Sequence, residues 1–139
     1  MGIEPHSEAK IFYNIAEALK NPGNVEILDL HYNDLNEFPV EILKLPNLKE
    51  LNIYNNQITK IPEEIEKLEK LEKLDISGNH LEYLPQTIGN LKNLKILILS
   101  WNNLREIPKS IGKLANLSKI SLNNNQITNL LEEIGYLQN

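Results

Sequence analysis

Apolar residues recur along the chain with a spacing that changes within each repeating unit. In the segment LKELNIYNNQITKIPEEIEKLEK, Leu51 and Ile53 alternate with polar residues. Such alternation is typical of a short strand with one buried face. After Pro62 the apolar spacing lengthens to three, at Ile65 and Leu68, and proline suits the first turn of a helix. Each unit is therefore predicted to be a short strand followed by a short helix or 3-10 segment.

The same unit occurs five times in register. The units begin at Val25, Leu48, Leu71, Leu94 and Leu117. The interval is 23 residues, and units of this length stack so that each contacts only its neighbours. Stacking predicts an α/β solenoid with a parallel sheet on its concave side and the helical segments outside.

One asparagine stands at the same place in every unit. These asparagines are Asn33, Asn56, Asn79, Asn102 and Asn125. A side-chain amide in a turn can satisfy buried backbone groups that would otherwise stay unpaired. The column is therefore interpreted as structural, with no chemistry assigned to it.

These residues carry a family resemblance. The pattern L-x-x-L-x-L-x-x-N-x-L-x-x-L-P-x-x-I-x-x-L-x-x over residues 25–139 resembles the leucine-rich repeat of the 23-residue type. The segment AEALKNPGNVEILDL is similar to the entry segment of bacterial leucine-rich-repeat proteins, notably spirochaetal ones. The resemblance implies a curved, right-handed solenoid that binds macromolecules, usually proteins, without catalysis. Two departures are Leu131 in place of the repeat's proline and an end at Asn139 without a capping element.

Residues 1–24 are predicted to form an N-terminal capping helix and entry segment. The helix is expected from Ser7, a suitable N-cap, to Lys20, ahead of the breaker Asn21-Pro22-Gly23. Its apolar face comprises Ile11, Phe12, Ile15, Ala16 and Leu19. This face is predicted to cover the first repeat, with binding to a membrane or partner as the alternative.

The third, fifth, seventh and eighth positions of each repeat are predicted to face the concave surface, free of the packing rule. The fourth repeat differs from the others there, with Ile96, Ile98 and the chain's only tryptophan, Trp101. Exposed β-branched residues beside a tryptophan are typical of a binding hot spot. The alternative is that Trp101 packs against the neighbouring turn and that isoleucine simply suits a strand.

A protein partner is accordingly predicted to dock on the concave face. Its predicted contacts are Ile96, Ile98 and Trp101 as the apolar anchor, Lys73, Asp75 and Lys119 as polar neighbours, and Tyr32, Tyr54 and His31 as a second cluster. Five strands about 4.8 Å apart and about 16 Å long offer roughly 300–400 Å². A stable interface buries about 800 Å² per partner. Binding must therefore extend onto adjoining loops, or be weak, or use a longer array.

Composition excludes several other functions. The formal net charge is −5 with acids and bases interspersed, so no nucleic-acid partner is predicted. Cysteine is absent and His6, His31 and His80 occupy unrelated repeat positions, so no metal site is predicted. No phosphate-binding loop or nucleophile motif occurs, and neither a cofactor nor enzymatic activity is expected. An apolar run long enough to span a membrane is also missing.

Two alternatives to the interaction module stay open. The chain is an assembly unit or truncated fragment that self-associates, for example as a dimer, through its uncapped C-terminal repeat. Otherwise it is the targeting piece of a larger signalling or host-interacting protein. The N-terminus MGIEPHSEAK lacks a signal peptide. The localisation is therefore cytoplasmic, or exported if a signal ahead of Gly2 has been removed.

Overall fold

The computed structural model describes residues 8–128, which form one parallel sheet with its strands in chain order. The strands are β1 (Ile11–Phe12), β2 (Ile27–Asp29), β3 (Glu50–Asn52), β4 (Lys73–Asp75), β5 (Ile96–Ile98) and β6 (Lys119–Ser121). From β2 onward each strand pairs with the equivalent residues of the next repeat, so Leu74 lies opposite Leu51 and Leu97. The predicted curved solenoid is confirmed, with one strand, β1, beyond those expected.

A 3-10 helix forms the outer side of each of the first four repeats, as predicted. These segments are Val40–Lys44, Glu63–Lys67, Gln86–Asn90 and Lys109–Lys113. The proline precedes the helix rather than opening it: Pro62 is the N-cap, with φ −69° and ψ 152°. Its carbonyl accepts the N–H of Ile65 at 3.1 Å, so proline supplies the first acceptor while its own missing N–H leaves nothing unpaired.

The N-terminal helix is present but much shorter than predicted. It spans Ile15–Ala18 (α1), and the side chain of Asn14 caps it by accepting the N–H of Glu17 at 3.1 Å. The residues before it form β1, where Ile11 pairs with Ile27 of β2. An unpaired edge of β2 would expose a row of backbone donors and acceptors, and β1 covers part of it. Ser7, the predicted N-cap, lies outside the described residues.

The shorter helix still covers the first repeat. Ala18 is fully buried, and Ile15 and Leu19 pack partly buried against the core. Ile11, predicted to join this apolar face, is 42% exposed because it lies in a strand instead. The boundary between an entry segment, 1–24, and five repeats, 25–139, stays a prediction.

The core is a ladder of leucine and isoleucine side chains that continues from one repeat to the next. Leu74 and Ile76 of the third repeat and Leu97 and Leu99 of the fourth are all fully buried. Because every repeat packs on the one before and the one after, removal of a contact between repeats weakens two of them.

The asparagine column joins the repeats together. Asn79 is 4% exposed and its Nδ2 donates to the carbonyls of Ile53 and Ile76, at 3.0 and 3.1 Å. Its Oδ1 accepts the N–H of Ile58 at 3.0 Å. Since Ile53 and Ile58 belong to the preceding repeat, the amide holds two coils in register as well as closing its own turn.

These hydrogen bonds form a continuous chain through the solenoid. The Ile53 carbonyl also accepts from Asn56, and the Ile76 carbonyl also accepts from Asn102, both at 3.0 Å. Each carbonyl is thus shared by amides of two successive repeats. Asn33 differs because it is exposed and its amide group donates to the carbonyl of His31 within the same turn. The structural interpretation of the asparagine column is confirmed. The structure adds that the hydrogen bonds of this column also join successive repeats.

Candidate functional site

Two rows of side chains cross the concave face in register. The third-position row is Ile27, Glu50, Lys73, Ile96 and Lys119, and the fifth-position row is Asp29, Asn52, Asp75, Ile98 and Ser121. Every residue in these rows keeps some solvent exposure, whereas the leucines between them, such as Leu74, are buried. The rows therefore form a surface above the core and are available for contact.

The fifth position has a structural task in the first three repeats. There its side-chain oxygen accepts a hydrogen bond from the backbone N–H two residues later. The pairs are Asp29 with His31 at 3.2 Å, Asn52 with Tyr54 at 3.0 Å, and Asp75 with Ser77 at 3.0 Å. The side chain of Ile98 has no hydrogen-bond acceptor, so the fourth repeat lacks this local bond and has an apolar side chain instead.

The eighth position has a backbone requirement, since it has positive φ in every repeat. The values are 52° at Tyr32, 53° at Asn55, 66° at Gly78, 58° at Trp101 and 60° at Asn124. Glycine and asparagine adopt this left-handed conformation readily, whereas other side chains pay about 1–2 kcal/mol. Tyr32 and Trp101 are nevertheless aromatic, and each is 64% exposed. Neither backbone preference nor core packing accounts for them.

The fourth repeat brings the predicted apolar residues to one place. Ile96 and Ile98 are half-buried on β5, and the exposed Trp101 follows three residues later. Its exposure argues against the alternative that the indole packs on the neighbouring turn. Pairing places Ile96 between Lys73 and Lys119, and it places Ile98 beside Asp75. That register places five of the six predicted residues on three adjacent strands, with Trp101 in the turn that follows β5.

The seventh position is less uniform than predicted. Ser77 and Ser100 are 8% and 7% exposed, so these two side chains do not extend onto the concave surface. The Ser77 hydroxyl donates to Oδ1 of Asp75 at 2.6 Å, and the Ser100 hydroxyl bonds with Oδ1 of Asn123 at 2.5 Å. These bonds keep the short serine side chains off the concave surface, whereas the larger His31 side chain at the same position is exposed.

The second predicted cluster is assembled at the N-terminal end of the face. The rings of Tyr32 and Tyr54 are T-shaped with centroids 5.2 Å apart, and their hydroxyl oxygens are 2.9 Å apart. The His31 ring lies 5.7 Å from that of Tyr32, and its Nδ1 is 2.5 Å from Oδ1 of Asp29. Aromatic and acidic groups therefore meet at this end.

The hydrogen bond between the two tyrosines changes the acidity of one of them. It raises the pKa of Tyr54 above its ordinary value, and burial and the electrostatic effects of Tyr32 and Asp75 act in the same direction. Because the folded-state pKa lies above the unfolded one, folding favours the neutral phenol. The resulting contribution of Tyr54 to stability is complete at pH values below its pKa in the unfolded chain. It is lost as the pH rises through its pKa in the folded protein.

We expect Tyr32→Phe to lower the pKa of Tyr54 toward its ordinary value, because the substitution removes the principal cause of the shift. NMR titration of the Tyr54 ring resonances at alkaline pH measures it. Tyr83→Phe, at an exposed site in the third repeat, is the control and should leave the Tyr54 titration unchanged. An unaltered pKa in Tyr32→Phe would show that the hydroxyl pair does not exist in solution.

Comparison with known proteins agrees with this architecture. A family profile for the leucine-rich repeat region matches residues 14–139. The chain belongs to the leucine-rich-repeat family. A leucine-rich-repeat protein of the spirochaete Leptospira interrogans is similar in structure, with 36% identity and a TM-score of 0.70. The match covers 92% of this chain but only 38% of the Leptospira chain. The predicted spirochaetal resemblance is confirmed.

Two plant leucine-rich-repeat structures are also similar. The BIR2 ectodomain of Arabidopsis thaliana has 28% identity and a TM-score of 0.60, over 68% of this chain and 50% of its own. The complex of BIR3 with SERK2 from the same plant gives 29% identity and a TM-score of 0.71, over 81% and 67%. No curated protein sequence matches the chain significantly.

The described part of this leucine-rich-repeat chain offers little for other kinds of site. Within residues 8–128 no helix is long and apolar enough to cross a membrane. The same residues contain no group of three or more His, Cys, Asp or Glu side chains that could hold a metal ion.

Sequence reasoning missed two acidic residues of this leucine-rich-repeat face. Asp29 and Glu50 line a depression on the concave surface together with Asp75, and Asp29 also contacts the His31 ring of the aromatic cluster. The sequence signal for them is their place at the third and fifth positions of the repeat. Only apolar residues at those positions were taken as candidates for binding.

Proposed function

We propose that the chain is a non-enzymatic protein-interaction module that binds a partner protein on its concave face. Ile96, Ile98 and Trp101 form the apolar anchor in this proposal. One observation carries it: the fourth repeat departs from the structural rules of its own solenoid at both the fifth and the eighth position, and both departures place apolar surface in solvent.

Both departures work against folding. Ile98 forgoes the acceptor that Asp29, Asn52 and Asp75 supply, and Trp101 holds a bulky ring at φ 58°. Residues that conflict with the local rules of a fold concentrate at functional sites. A binding role gives the two residues a common reason, since tryptophan and β-branched side chains supply contact area at the centre of interfaces.

The surroundings of the anchor suit a protein surface. Lys73 and Lys119 flank Ile96, which gives the apolar centre a polar rim. Exposed residues of the adjoining turns, including Gln57, His80 and Gln126, extend the area beyond the small sheet. The BIR3 and SERK2 proteins are known as a complex, which supports a protein partner for this chain as well.

The proposal is tested with the double variant Ile98→Asn, Trp101→Asn. Asparagine restores the side-chain acceptor found at Asn52 and the residue type found at Asn55 and Asn124. We expect affinity for the partner to fall at least about tenfold, while the midpoint of chemical denaturation is no lower than that of the wild type. Affinity capture from source-cell and host lysates with mass spectrometry identifies the partner, and calorimetric titration measures its affinity.

Val40→Asn is the matched control because Val40 is 58% exposed on the outer side of the first repeat. It removes exposed apolar surface away from the concave face and should leave affinity unchanged. A partner that binds the double variant as tightly as the wild type would refute the proposed anchor. If sedimentation finds only self-association, the C-terminal assembly alternative gains support; that predicted contact involves residues outside the described range.

A further inference from the structure

The N-terminal end of the concave face has a chemistry opposite to that of the apolar anchor. Tyr32 is 64% exposed, and its ring and that of Tyr54 form an edge-to-face pair. Aromatic faces carry negative electrostatic potential, and an exposed tyrosine pair is a good contact for a cation. Tyr32 has the same left-handed backbone conformation as Trp101 at the other end of the face, so its large side chain likewise calls for a functional reason.

A carboxylate lies close to the tyrosines, because Asp29 contacts the His31 ring, which lies beside both of them. Asp29, Glu50 and Asp75 line a depression on the same concave face, and Lys73 is the one basic residue among its lining residues, so carboxylates outnumber cations there. Neighbouring lysines outside the depression do not neutralise it. Each is paired with another carboxylate: Lys49 Nζ is 3.7 Å from Glu26 Oε1, and Lys95 Nζ is 2.6 Å from Glu72 Oε1.

The depression also has an apolar side. Ile11 of β1 and Ile27 of β2 line it together with the acids. A long cationic side chain can lay its methylene stem on such residues while its charged end meets the carboxylates. Arginine meets this combination best, since its planar guanidinium stacks on tyrosine and pairs with carboxylates through two parallel hydrogen bonds.

We propose that the partner presents an arginine side chain to Tyr32, Tyr54 and Asp29, while its apolar residues occupy the Trp101 end. This inference rests on the proposed function and specifies the partner's chemistry. Tyr32 and Trp101 are three repeats apart, and three strand spacings give about 14 Å. A segment crossing the strands in extended form would therefore carry the arginine and the apolar residue about four positions apart.

The test uses N-acetyl-arginine amide as the probe and N-acetyl-citrulline amide as its uncharged analogue. NMR titration to about 50 mM at neutral pH and low salt detects millimolar dissociation constants. We expect the arginine probe to shift the Tyr32 and Tyr54 ring resonances saturably, and the citrulline probe to bind at least about tenfold more weakly. Equal shifts with both probes, or none with arginine, would overturn the proposal.

Two variants locate the site without disturbing the fold. Asp29→Asn keeps a side-chain acceptor like that of Asn52. Tyr32→Asn introduces asparagine at the eighth position, where the second repeat already has Asn55. Each should weaken the arginine probe at least about fivefold. The Ile98→Asn, Trp101→Asn variant should bind the probe as the wild type does. Because the probe requires no partner, loss of the arginine site and loss of the apolar anchor are separate results.

Discussion

Replacing Asn79 by alanine is expected to lower the free energy of unfolding by about 2–3 kcal/mol. The substitution leaves the buried N–H of Ile58 without its acceptor and opens a gap between the second and third repeats. The carbonyls of Ile53 and Ile76 each keep one donor, from Asn56 and Asn102, which limits the loss. Chemical denaturation followed by circular dichroism measures it.

Asn33→Ala is the control for this prediction. Asn33 has the same residue type and the same place in its repeat, but it is exposed and its amide group bonds within its own turn. We expect a change within about 0.5 kcal/mol, as for an ordinary surface substitution. Equal losses for the two variants would contradict the view that the amide stabilises the solenoid by joining successive repeats.

Replacing Gly89 by alanine should cost about 2–3 kcal/mol, because no space exists for one added methyl group. Gly89 is buried in the 3-10 segment Gln86–Asn90, which packs on the next segment, Lys109–Lys113. A Cβ at Gly89 would overlap the Ser110 carbonyl oxygen and lie 2.6 Å from Ser110 Cβ and 2.8 Å from its carbonyl carbon. Backbone atoms cannot rotate away, so the two repeats would have to separate.

Gly23→Ala is the matched control, since the nearest atom to its added Cβ would be Asn47 Nδ2 at 3.9 Å, an ordinary contact. Its stability should equal or slightly exceed that of the wild type, because alanine restricts the unfolded chain. Adding Ser110→Gly to Gly89→Ala should recover only part of the loss, as the clash with the Ser110 carbonyl remains. Full recovery would mean that the side chain alone sets the spacing of these repeats.

The repeat pattern predicted most of the fold because each packing contact is repeated every 23 residues. Leu51, Leu74 and Leu97 were assignable to a buried strand from alternation alone, and they pair in that register. The N-terminus has no such repetition. There a helical spacing of Ile11 and Ile15 competed with strand pairing, and the unpaired edge of β2 decided in favour of the strand for Ile11.

The candidate site was predictable only in part. Ile96, Ile98 and Trp101 were conspicuous because apolar residues at concave positions break the pattern. The acidic residues Asp29 and Glu50 were not conspicuous, since a charged residue on an exposed strand needs no special explanation. Their meaning depends on neighbours from other repeats, which join them to Asp75 in one depression of the concave face.

By itself, the sequence determined the solenoid, the strand register and the asparagine column, since these follow from side-chain types recurring at a constant interval. The tertiary structure decided what depends on distances between coils and on backbone conformation. It showed that Asn79 bonds across two repeats, that Gly89 has no room for a Cβ, and that the eighth position is left-handed. Those properties arise where two separate segments meet or where the turn constrains φ, and neither is encoded in the periodicity of a single repeat.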